Sequence, residues 1–336
     1  MAARVGWDKW MTYLVTGATG FIGRHLVERL LAEGASVRIL TRGRKPLPES
    51  WRDRVQVAQG DLTDTSTLPS AVAGCDTVFH LAGELRDAAR MHATNVLGTQ
   101  NLLAACRGVV SHIVHLSSVG VMGARQPGGV DETVPCHPQD AYEQSKYAAE
   151  QFALEWLSKT GTPVTVLRPT IVFGEGRLAG EDSMLSWLRT IQAGRFVFFD
   201  KRAVANYVYV GDVVAAGVCA AKNKTPGIFI IADPCLLSEF VSAAAQALGV
   251  PAPARVIPLP VAYTAALVFE MIGLVLRRKN LPLNLRRVRA LSNRTRFYSE
   301  RATMVLEWQP SVGYQTGLQR TVNWYRQTKQ LTQSDG

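Results

Sequence analysis

The feature that most constrains the fold is a glycine-rich segment, LVTGATGFIG, close to the start of the sequence. It joins a β-prone run at residues 12–16 to residues 21–33, which repeat apolar side chains at helical spacing. Its glycines Gly17, Gly20 and Gly23 are spaced for a strand-turn-helix unit that binds a dinucleotide. In such a unit the first glycine makes the turn, the second admits the pyrophosphate, and the third lets the helix pack closely on the strand.

The rest of the first two thirds alternates between strand and helix patterns. We predict strands at 36–40, 55–59, 77–81, 111–117, 164–168, 207–210 and 227–231, and helices at 65–72, 91–106, 142–160 and from 212. This alternation predicts an α/β fold with a Rossmann-type, doubly wound parallel sheet. Because it becomes irregular after Phe173, we predict a dinucleotide-binding domain at 12–175 and about 205–232. A smaller, discontinuous C-terminal substrate domain would then comprise 176–204 and 233–330.

Composition narrows the class of protein. Hydrophobic residues are 47% and charged residues 19% of the 336 residues, which supports a large core and excludes disordered and fibrous classes. The five cysteines form no C-x-x-C pair, so neither a disulfide framework nor a metal site is indicated. The first eleven residues hold charges where a secretion signal needs an apolar run. We therefore expect a cytoplasmic protein.

The end of the second predicted strand bears on which cofactor is preferred. The sequence there reads RILTRGRKP, with Arg42, Arg44 and Lys45 and no acidic residue before Glu49. An acid at this point would hold a ribose 2′-hydroxyl, whereas a cation accepts a 2′-phosphate. The sequence therefore favours NADP(H), with NAD(H) as the alternative.

Candidate reactive residues lie in and just before the helix predicted at 142–160. Tyr142 and Lys146 form a Y-x-x-x-K pair on one helix face. A free tyrosine has a pKa of about 10, and both a fixed ammonium and an oxidised nicotinamide would lower it towards neutral pH. Ser118 ends a predicted strand, where a hydroxyl could bind the substrate oxygen. Ser117 is the competing candidate for this role. Its structural interpretation is a hydroxyl that hydrogen-bonds to the backbone at the strand end.

Several motifs in order resemble those of the extended short-chain dehydrogenase/reductase family, also described as the NAD-dependent epimerase/dehydratase family. They cover about residues 12–215 and read TGATGFIG, GDLTD, HLAG, NVLGTQNLL, SSVGVMG, YEQSK, LRPTIVFGEG and YVYVGDV. The resemblance implies that Ser118, Tyr142 and Lys146 are catalytic and that Lys146 also binds the nicotinamide ribose. It also implies a homodimer.

The same resemblance implies a set of cofactor-binding residues. Asp61 and Leu62 would meet the adenine, Asn95 would hold the geometry of the central helix, and the backbone after Pro169 would close over the nicotinamide. The full set is Gly17, Thr19, Gly20, Phe21, Ile22, Gly23, Arg42, Asp61, Leu62, Leu81, Ala82, Gly83, Asn95, Tyr142, Lys146, Pro169 and Ile171.

Two departures from the family, and one closer resemblance within it, bear on the reaction. Dehydratases carry an Asp-Glu pair where this sequence has Val119 and Gly120, which argues against sugar dehydration. Sugar enzymes commonly carry an arginine at the position of Ala205, and here the nearest cations are Lys201 and Arg202. The C-terminal third resembles the 3β-hydroxysteroid dehydrogenase and dihydroflavonol reductase-like branch.

We therefore expect an NAD(P)-dependent oxidoreductase that interconverts an apolar secondary alcohol and its ketone. A nucleotide-sugar epimerase that uses the same three residues is the first alternative. A non-catalytic, cofactor-binding regulatory protein is the second.

An apolar run at 261–276 precedes a strongly basic stretch at 277–301. The stretch has one acid, Glu300, and nine cations: Arg277, Arg278, Lys279, Arg286, Arg287, Arg289, Arg294, Arg296 and Arg301. Three interpretations stay open: peripheral contact with an anionic membrane, an anionic substrate, or a solvated face. No recognition helix or aromatic platform accompanies the charge, so nucleic acid is not expected.

Overall fold

The computed structural model describes residues 11–123, 128–177, 183–275 and 283–331. Its first part alternates between strands and helices: β1 (Thr12–Thr16), α1 (Phe21–Ala32), β2 (Ser36–Thr41), β3 (Val55–Gln59), α2 (Leu68–Val72), β4 (Cys75–His80), α3 (Ala88–Met91), α4 (Gly98–Cys106) and β5 (His112–Leu116). A π-helical segment, His92–Leu97, joins α3 to α4. The helix predicted at 91–106 therefore starts earlier, at Ala88, because the Asp87 carboxylate caps it by accepting the Ala89 N–H at 3.1 Å.

The second part continues this order and adds shorter elements. They are β6 (Gly129–Val130), α5 (Ala141–Thr160), β7 (Val164–Pro169), β8 (Ile171–Phe173), α6 (Ser183–Gln192), β9 (Val204–Ala205), β10 (Tyr207–Tyr209), α7 (Val210–Asn223), β11 (Gly227–Ile231), β12 (Cys235–Leu236), α8 (Leu237–Leu248), α9 (Leu259–Val275), α10 (Leu285–Leu291), β13 (Arg296–Phe297), α11 (Glu300–Leu306) and α12 (Gly313–Gln327). Among the described residues, no helix combines the length and the apolar character that crossing a bilayer requires.

A seven-stranded parallel sheet is the framework of the molecule. Its strand order is β11-β7-β5-β4-β1-β2-β3, and each neighbouring pair is parallel. The order reverses between β1 and β4, and this is the point where open α/β sheets bind ligands. The predicted α/β fold with a Rossmann-type parallel sheet is confirmed.

Helices cover both faces of the sheet. On one face α1 and α7 pack against it through Leu30, Val213 and their neighbours. On the other face α2, α4 and α5 pack through residues that include Leu102 and Ala153. Burial on both faces explains why β7 has no exposed residue and reads as a nearly continuous apolar run.

A second core, rich in aromatic side chains, lies among α6, α8 and α12. Tyr207 stacks on Phe240 with ring centroids 4.6 Å apart, and Phe173 meets both rings edge-on. This core contains parts of 176–204 and 233–330, the segments predicted to form the smaller domain.

Helix α11 departs from that predicted division. Although it falls within 233–330, it packs on α7 and β11 of the larger domain. Leu306 and Trp308 are buried in the core beside the sheet, and the Trp308 indole donates a hydrogen bond to the Asp212 carbonyl at 2.9 Å. The chain therefore returns to the larger domain near its C-terminal end.

Candidate active site

The glycine turn between β1 and α1 leaves the start of α1 open. Gly17 has a φ of +70°, and a Cβ on it would lie 2.7 Å from the Ala82 nitrogen. A Cβ on Gly23 would lie 2.8 Å from the Ala18 Cα, so only glycine lets α1 approach the turn this closely. Gly20 is exposed and precedes the helix, with no side chain capping α1 and no acid in its first turn. This helix end fits the pyrophosphate of a dinucleotide.

The loop after β4 borders the same turn. The Ala82 N–H donates to the Thr16 hydroxyl at 3.3 Å, and Leu81 and Gly83 flank it. Asn95 fixes this loop from the π-helical segment, because its side chain exchanges hydrogen bonds with the backbone of Glu84 at 2.6 and 3.0 Å. The same side chain donates to Ser145 Oγ of α5 at 2.9 Å. The buried Asn95 amide therefore ties the loop to the helix that carries Tyr142.

Arg42 and Asp61 lie together at the carboxyl edge of β2 and β3. A guanidinium nitrogen of Arg42 is 3.9 Å from an Asp61 carboxylate oxygen, and both side chains are partly exposed. Burial raises the pKa of Asp61, but hydrogen bonds from Thr63 and the charges of Arg42 and Arg44 outweigh it, so the pKa is lowered. The side chain of Leu62, unlike the partly exposed side chain of Asp61, is buried in the core beneath α4.

The other predicted cofactor residues line two further edges of the site. Thr19 is half-buried in the turn, and the half-buried Phe21 and Ile22 begin α1. Pro169 ends β7, and Ile171, with an exposed side chain, follows it in β8. These positions lie at the carboxyl ends of the strands, where the fold predicts the ligand cleft.

Ser118, Tyr142 and Lys146 come together where β5 ends and α5 begins. Ser118 follows β5, and its hydroxyl accepts the Gly120 N–H at 3.1 Å. Asp140 caps α5 by accepting the Glu143 N–H at 2.9 Å, and this fixes the first turn, which carries Tyr142. The Ser118 side chain lies beside Tyr142 and partly opposes the effect of burial on its pKa. Lys146, one turn further on, donates from Nζ to the Leu116 carbonyl.

The protonation of this group differs from the expectation for an isolated Y-x-x-x-K pair. Burial raises the pKa of Tyr142 above its usual value, and Ser118 only partly opposes this. The Lys146 ammonium donates to the Leu116 carbonyl, which holds it one helical turn from Tyr142. Burial lowers the pKa of Lys146 itself to about 8, against the opposing charge of Glu150. Burial is thus the largest influence on the pKa of both side chains.

A buried ion pair, which no sequence motif predicts, lies behind the site. The Arg168 guanidinium donates from Nε to Glu150 at 3.0 Å and makes a second bond to the same carboxylate. Both side chains are buried, and Arg168 also donates to the Cys136 sulfur at 3.2 Å. Ser117 donates to Glu150 at 2.7 Å, so it serves this pair rather than the backbone. An arginine in the otherwise apolar strand VTVLRP was the available signal.

The two adjacent serines therefore have different surroundings. Ser117 is buried and bonded to Glu150, whereas Ser118 is half-buried and lies beside Tyr142. A nicotinamide dinucleotide fits the open glycine turn, and Tyr142 and Lys146 lie at the carboxyl edge of the same sheet. The arrangement can exchange a proton with a substrate oxygen.

Comparison with known proteins agrees with this geometry. The model of the "NAD dependent epimerase/dehydratase family" matches residues 13–232. The chain is 28% identical to a "3beta-hydroxysteroid-dehydrogenase/decarboxylase isoform 1" of Arabidopsis thaliana, across 97% of this chain and 82% of the relative. It is 31% identical to an "N-acetyl-alpha-D-glucosaminyl-diphospho-ditrans,octacis-undecaprenol 4-epimerase" of Escherichia coli, across 79% of this chain and 81% of the relative.

A solved structure gives the same picture. The UDP-glucose 4-epimerase of Thermus thermophilus, in complex with NAD, superposes with a TM-score of 0.70 at 25% identity, covering 94% of this chain and 99% of that chain. Steroid dehydrogenases and nucleotide-sugar epimerases are thus both among its relatives. The resemblance inferred from the motifs is confirmed: this chain is an enzyme that belongs to the NAD-dependent epimerase/dehydratase family.

Proposed function

We propose that this enzyme interconverts a secondary alcohol and a ketone on an apolar, hydroxysteroid-like or flavonol-like substrate, with an NAD(P) cofactor. The observation that carries the proposal is the placement of Tyr142 beside Ser118 at the carboxyl end of β5, with Lys146 one helical turn away. Two hydroxyl groups at one point can hold a single substrate oxygen and exchange its proton.

Each residue of this group has a distinct task in the proposed mechanism. The nicotinamide ring supplies the hydride chemistry when it is bound. Tyr142 takes the proton from the substrate hydroxyl during oxidation and returns it during reduction. Ser118 donates a hydrogen bond to the same oxygen and orients it. Lys146 binds the ribose, and its ammonium compensates the negative charge as Tyr142 loses its proton.

The surroundings of Ala205 support an apolar substrate over a nucleotide sugar. Ala205 is buried in β9, which pairs with β12, so it offers no cation to a diphosphate. Arg202 is exposed, and its backbone N–H donates to the Asp200 carboxylate at 2.9 Å. The Arabidopsis relative, named for a steroid substrate, is similar across nearly the whole chain, including the C-terminal third.

Nucleotide-sugar epimerisation is the second candidate. It is favoured by the Thermus thermophilus structure, which is named as a UDP-glucose 4-epimerase. The Escherichia coli relative is also named as a 4-epimerase, but of a sugar joined through a diphosphate to undecaprenol. Such an enzyme would use Ser118, Tyr142 and Lys146 to oxidise one carbon and then reduce it again. The two candidates differ in whether the cofactor is consumed.

The experiment incubates the enzyme with NAD or NADP and either hydroxysteroids or UDP- and GDP-sugars. We expect net cofactor reduction with an apolar alcohol and a loss of at least about 100-fold in kcat for Tyr142→Phe, because the proton exchange is removed. Tyr147→Phe, five residues further along α5, is the control and should keep its activity. Sugar interconversion without net reduction would decide for the epimerase.

We also propose that the cofactor is NADP(H). Arg42 and Arg44 are exposed at the end of β2, where a 2′-phosphate would lie, and no acid follows directly in the sequence. Arg42→Ala should raise the Kd of NADPH about tenfold and leave that of NADH nearly unchanged, because only one of them carries the phosphate. Arg52→Ala, a surface arginine paired with Glu49, is the control for charge. Equal effects on both cofactors, or tighter binding of NADH by the unaltered enzyme, would contradict the proposal.

A further inference from the structure

Helix α9 buries several small residues and leaves most of its large apolar side chains exposed. Ala262, Ala266 and Gly273 are buried, and the two alanines share an apolar cluster with Val288 of α10. The large apolar side chains on the opposite face are exposed: Val261, Leu267, Val268, Met271 and Ile272. A helix whose outer side faces only water normally buries its large apolar side chains and exposes polar ones.

The exposed residues form one continuous strip. Val261, Val268 and Ile272 follow each other at helical repeats of seven and four residues, so they lie along one line of the helix. Met271, 59% exposed, lies beside them. The strip contains no charged side chain, because Glu270 is half-buried and accepts the Leu285 N–H at 3.0 Å. An apolar face of this width indicates a partner that is itself apolar.

The neighbouring helix α10 supplies positive charge. Arg286, Arg287 and Arg289 are exposed, and the residue between them, Val288, is buried beside α9. Within the described parts of α9 and α10, Glu270 is the one acidic residue. The pair of helices therefore presents an apolar strip next to a cluster of arginines.

Other cations of the basic stretch serve the fold instead. Arg294 is paired with the Asp200 carboxylate at 2.6 Å, and Arg296 donates to the Pro234 carbonyl at 2.9 Å. The Arg301 guanidinium lies over the Phe229 ring, 5.3 Å from its centroid. Residues 277–279 lie outside the described residues. Among the described cations of the stretch, Arg286 and Arg289 of α10 are exposed and have no ion pair within the described parts of the chain.

We propose that α9 and α10 form a docking surface for an anionic lipid bilayer. The apolar strip of α9 enters the boundary between headgroups and acyl chains, while the arginines of α10 bind lipid phosphates. A second copy of this chain fits less well, because a two-fold contact through this surface would bring the same arginines of both copies together. A free anionic ligand would require the arginines but not the apolar strip.

The first experiment measures cosedimentation of the full chain with vesicles of phosphatidylglycerol and phosphatidylcholine, and with vesicles of phosphatidylcholine alone, at low salt. We expect binding to the anionic vesicles that weakens as salt is added. Met271→Glu should lower the partition coefficient at least about tenfold. The matched control is Met304→Glu on α11, which is 75% exposed and lies outside the surface, and it should change binding less than about twofold.

The second experiment removes charge from the surface. Arg286→Gln combined with Arg289→Gln should lower binding at low salt about tenfold or more, whereas Arg52→Gln combined with Lys159→Gln removes the same charge elsewhere and should not. Absence of cosedimentation, or equal loss in test and control variants, would overturn the proposal. So would a dimer in analytical ultracentrifugation that Met271→Glu dissociates while vesicles stay unbound. None of these readouts depends on the substrate or the cofactor.

Discussion

At the scale of single residues, the site depends on the negative charge of Glu150, which is not part of the Y-x-x-x-K motif. Glu150 lies one helical turn after Lys146, and its carboxylate raises the pKa of Lys146, which burial lowers to about 8. Arg168 and Ser117 hold that carboxylate in place. Glu150 therefore acts as a positioning residue that helps to keep Lys146 protonated near neutral pH.

Replacing Glu150 tests this relation through the pH profile. A negative charge favours the ammonium, so Glu150→Gln should lower the pKa of Lys146 further and move the alkaline decline of kcat/KM to lower pH. Glu150→Asp, which keeps the charge, should retain most of the profile. Glu155→Gln, on the exposed side of the same helix, should not move it. An unchanged alkaline limb in Glu150→Gln would contradict the link between Glu150 and Lys146.

The same substitution leaves Arg168 buried without its counter-charge. We therefore expect Glu150→Gln to lower the free energy of unfolding by about 3–5 kcal/mol, measured by urea denaturation.

Residue-scale properties were the hardest to predict from the sequence. The proximity of Ser118, Tyr142 and Lys146 followed from strand ends and helical spacing, which are local signals. The raised pKa of Tyr142 did not follow from local signals, because its burial depends on packing by distant parts of the chain. The pairing of Glu150 with Arg168 joins α5 to β7, and no local pattern specifies such a partner.

At the scale of elements, two glycines of the turn between β1 and α1 have different physical roles, although both belong to one sequence motif. A Cβ on Gly23 would collide with the backbone of the turn, including the Ala18 Cα at 2.8 Å. A Cβ on Gly20 would meet within 4 Å only the Gly17 carbonyl oxygen, at 3.1 Å. Gly23 is therefore needed for packing, and Gly20 for space in front of the helix.

Alanine at these two positions should give opposite results. Gly23→Ala should destabilise the fold by about 1–3 kcal/mol, because backbone atoms must move apart. Gly20→Ala should lower Tm far less but weaken cofactor binding at least about tenfold, because its methyl group occupies the pyrophosphate position. Thermal unfolding and cofactor titration separate the two effects. Normal cofactor affinity in Gly20→Ala would contradict the placement of the pyrophosphate.

The strands and helices of the first two thirds were largely predictable. β1 and β3 have the predicted bounds, and α1 and α5 each differ from prediction by one residue at one end. Apolar periodicity and glycine punctuation are local, so they carry this information well. The position of α11 was not predictable, because its pattern specifies a buried face but not the domain that buries it.

At the scale of the whole molecule, Asp212 joins the two ends of the fold. It is buried at the start of α7, and its carboxylate accepts the backbone N–H groups of Ser311 at 2.9 Å, Val312 at 3.0 Å and Gly313 at 2.9 Å. Those three residues lead into α12, which packs on α8 in the aromatic core. One carboxylate thus connects the larger domain to the smaller core.

Asp212→Asn should destabilise the enzyme measurably. An amide has one acceptor oxygen, so an NH2 group would face a backbone donor where the carboxylate had accepted a bond. We expect a loss of about 2–3 kcal/mol in the free energy of unfolding, measured by urea denaturation. Asp53→Asn, an exposed aspartate, should change stability by less than about 0.5 kcal/mol. If Asp212→Asn changed the free energy of unfolding as little as Asp53→Asn, Asp212 would not stabilise the contact between α7 and the start of α12.

The pairing of β13 with β6 has a consequence for how the protein is made. Arg296 and Phe297 align with Gly129 and Val130 in the segment that leads into α5, and α11 then covers part of the sheet. A growing chain lacks this strand and this helix until residues 296–306 have been synthesised. Residues 11–232 therefore cannot complete the packing beside the sheet by themselves, and the segment before α5 gains its partner strand only when β13 has been added.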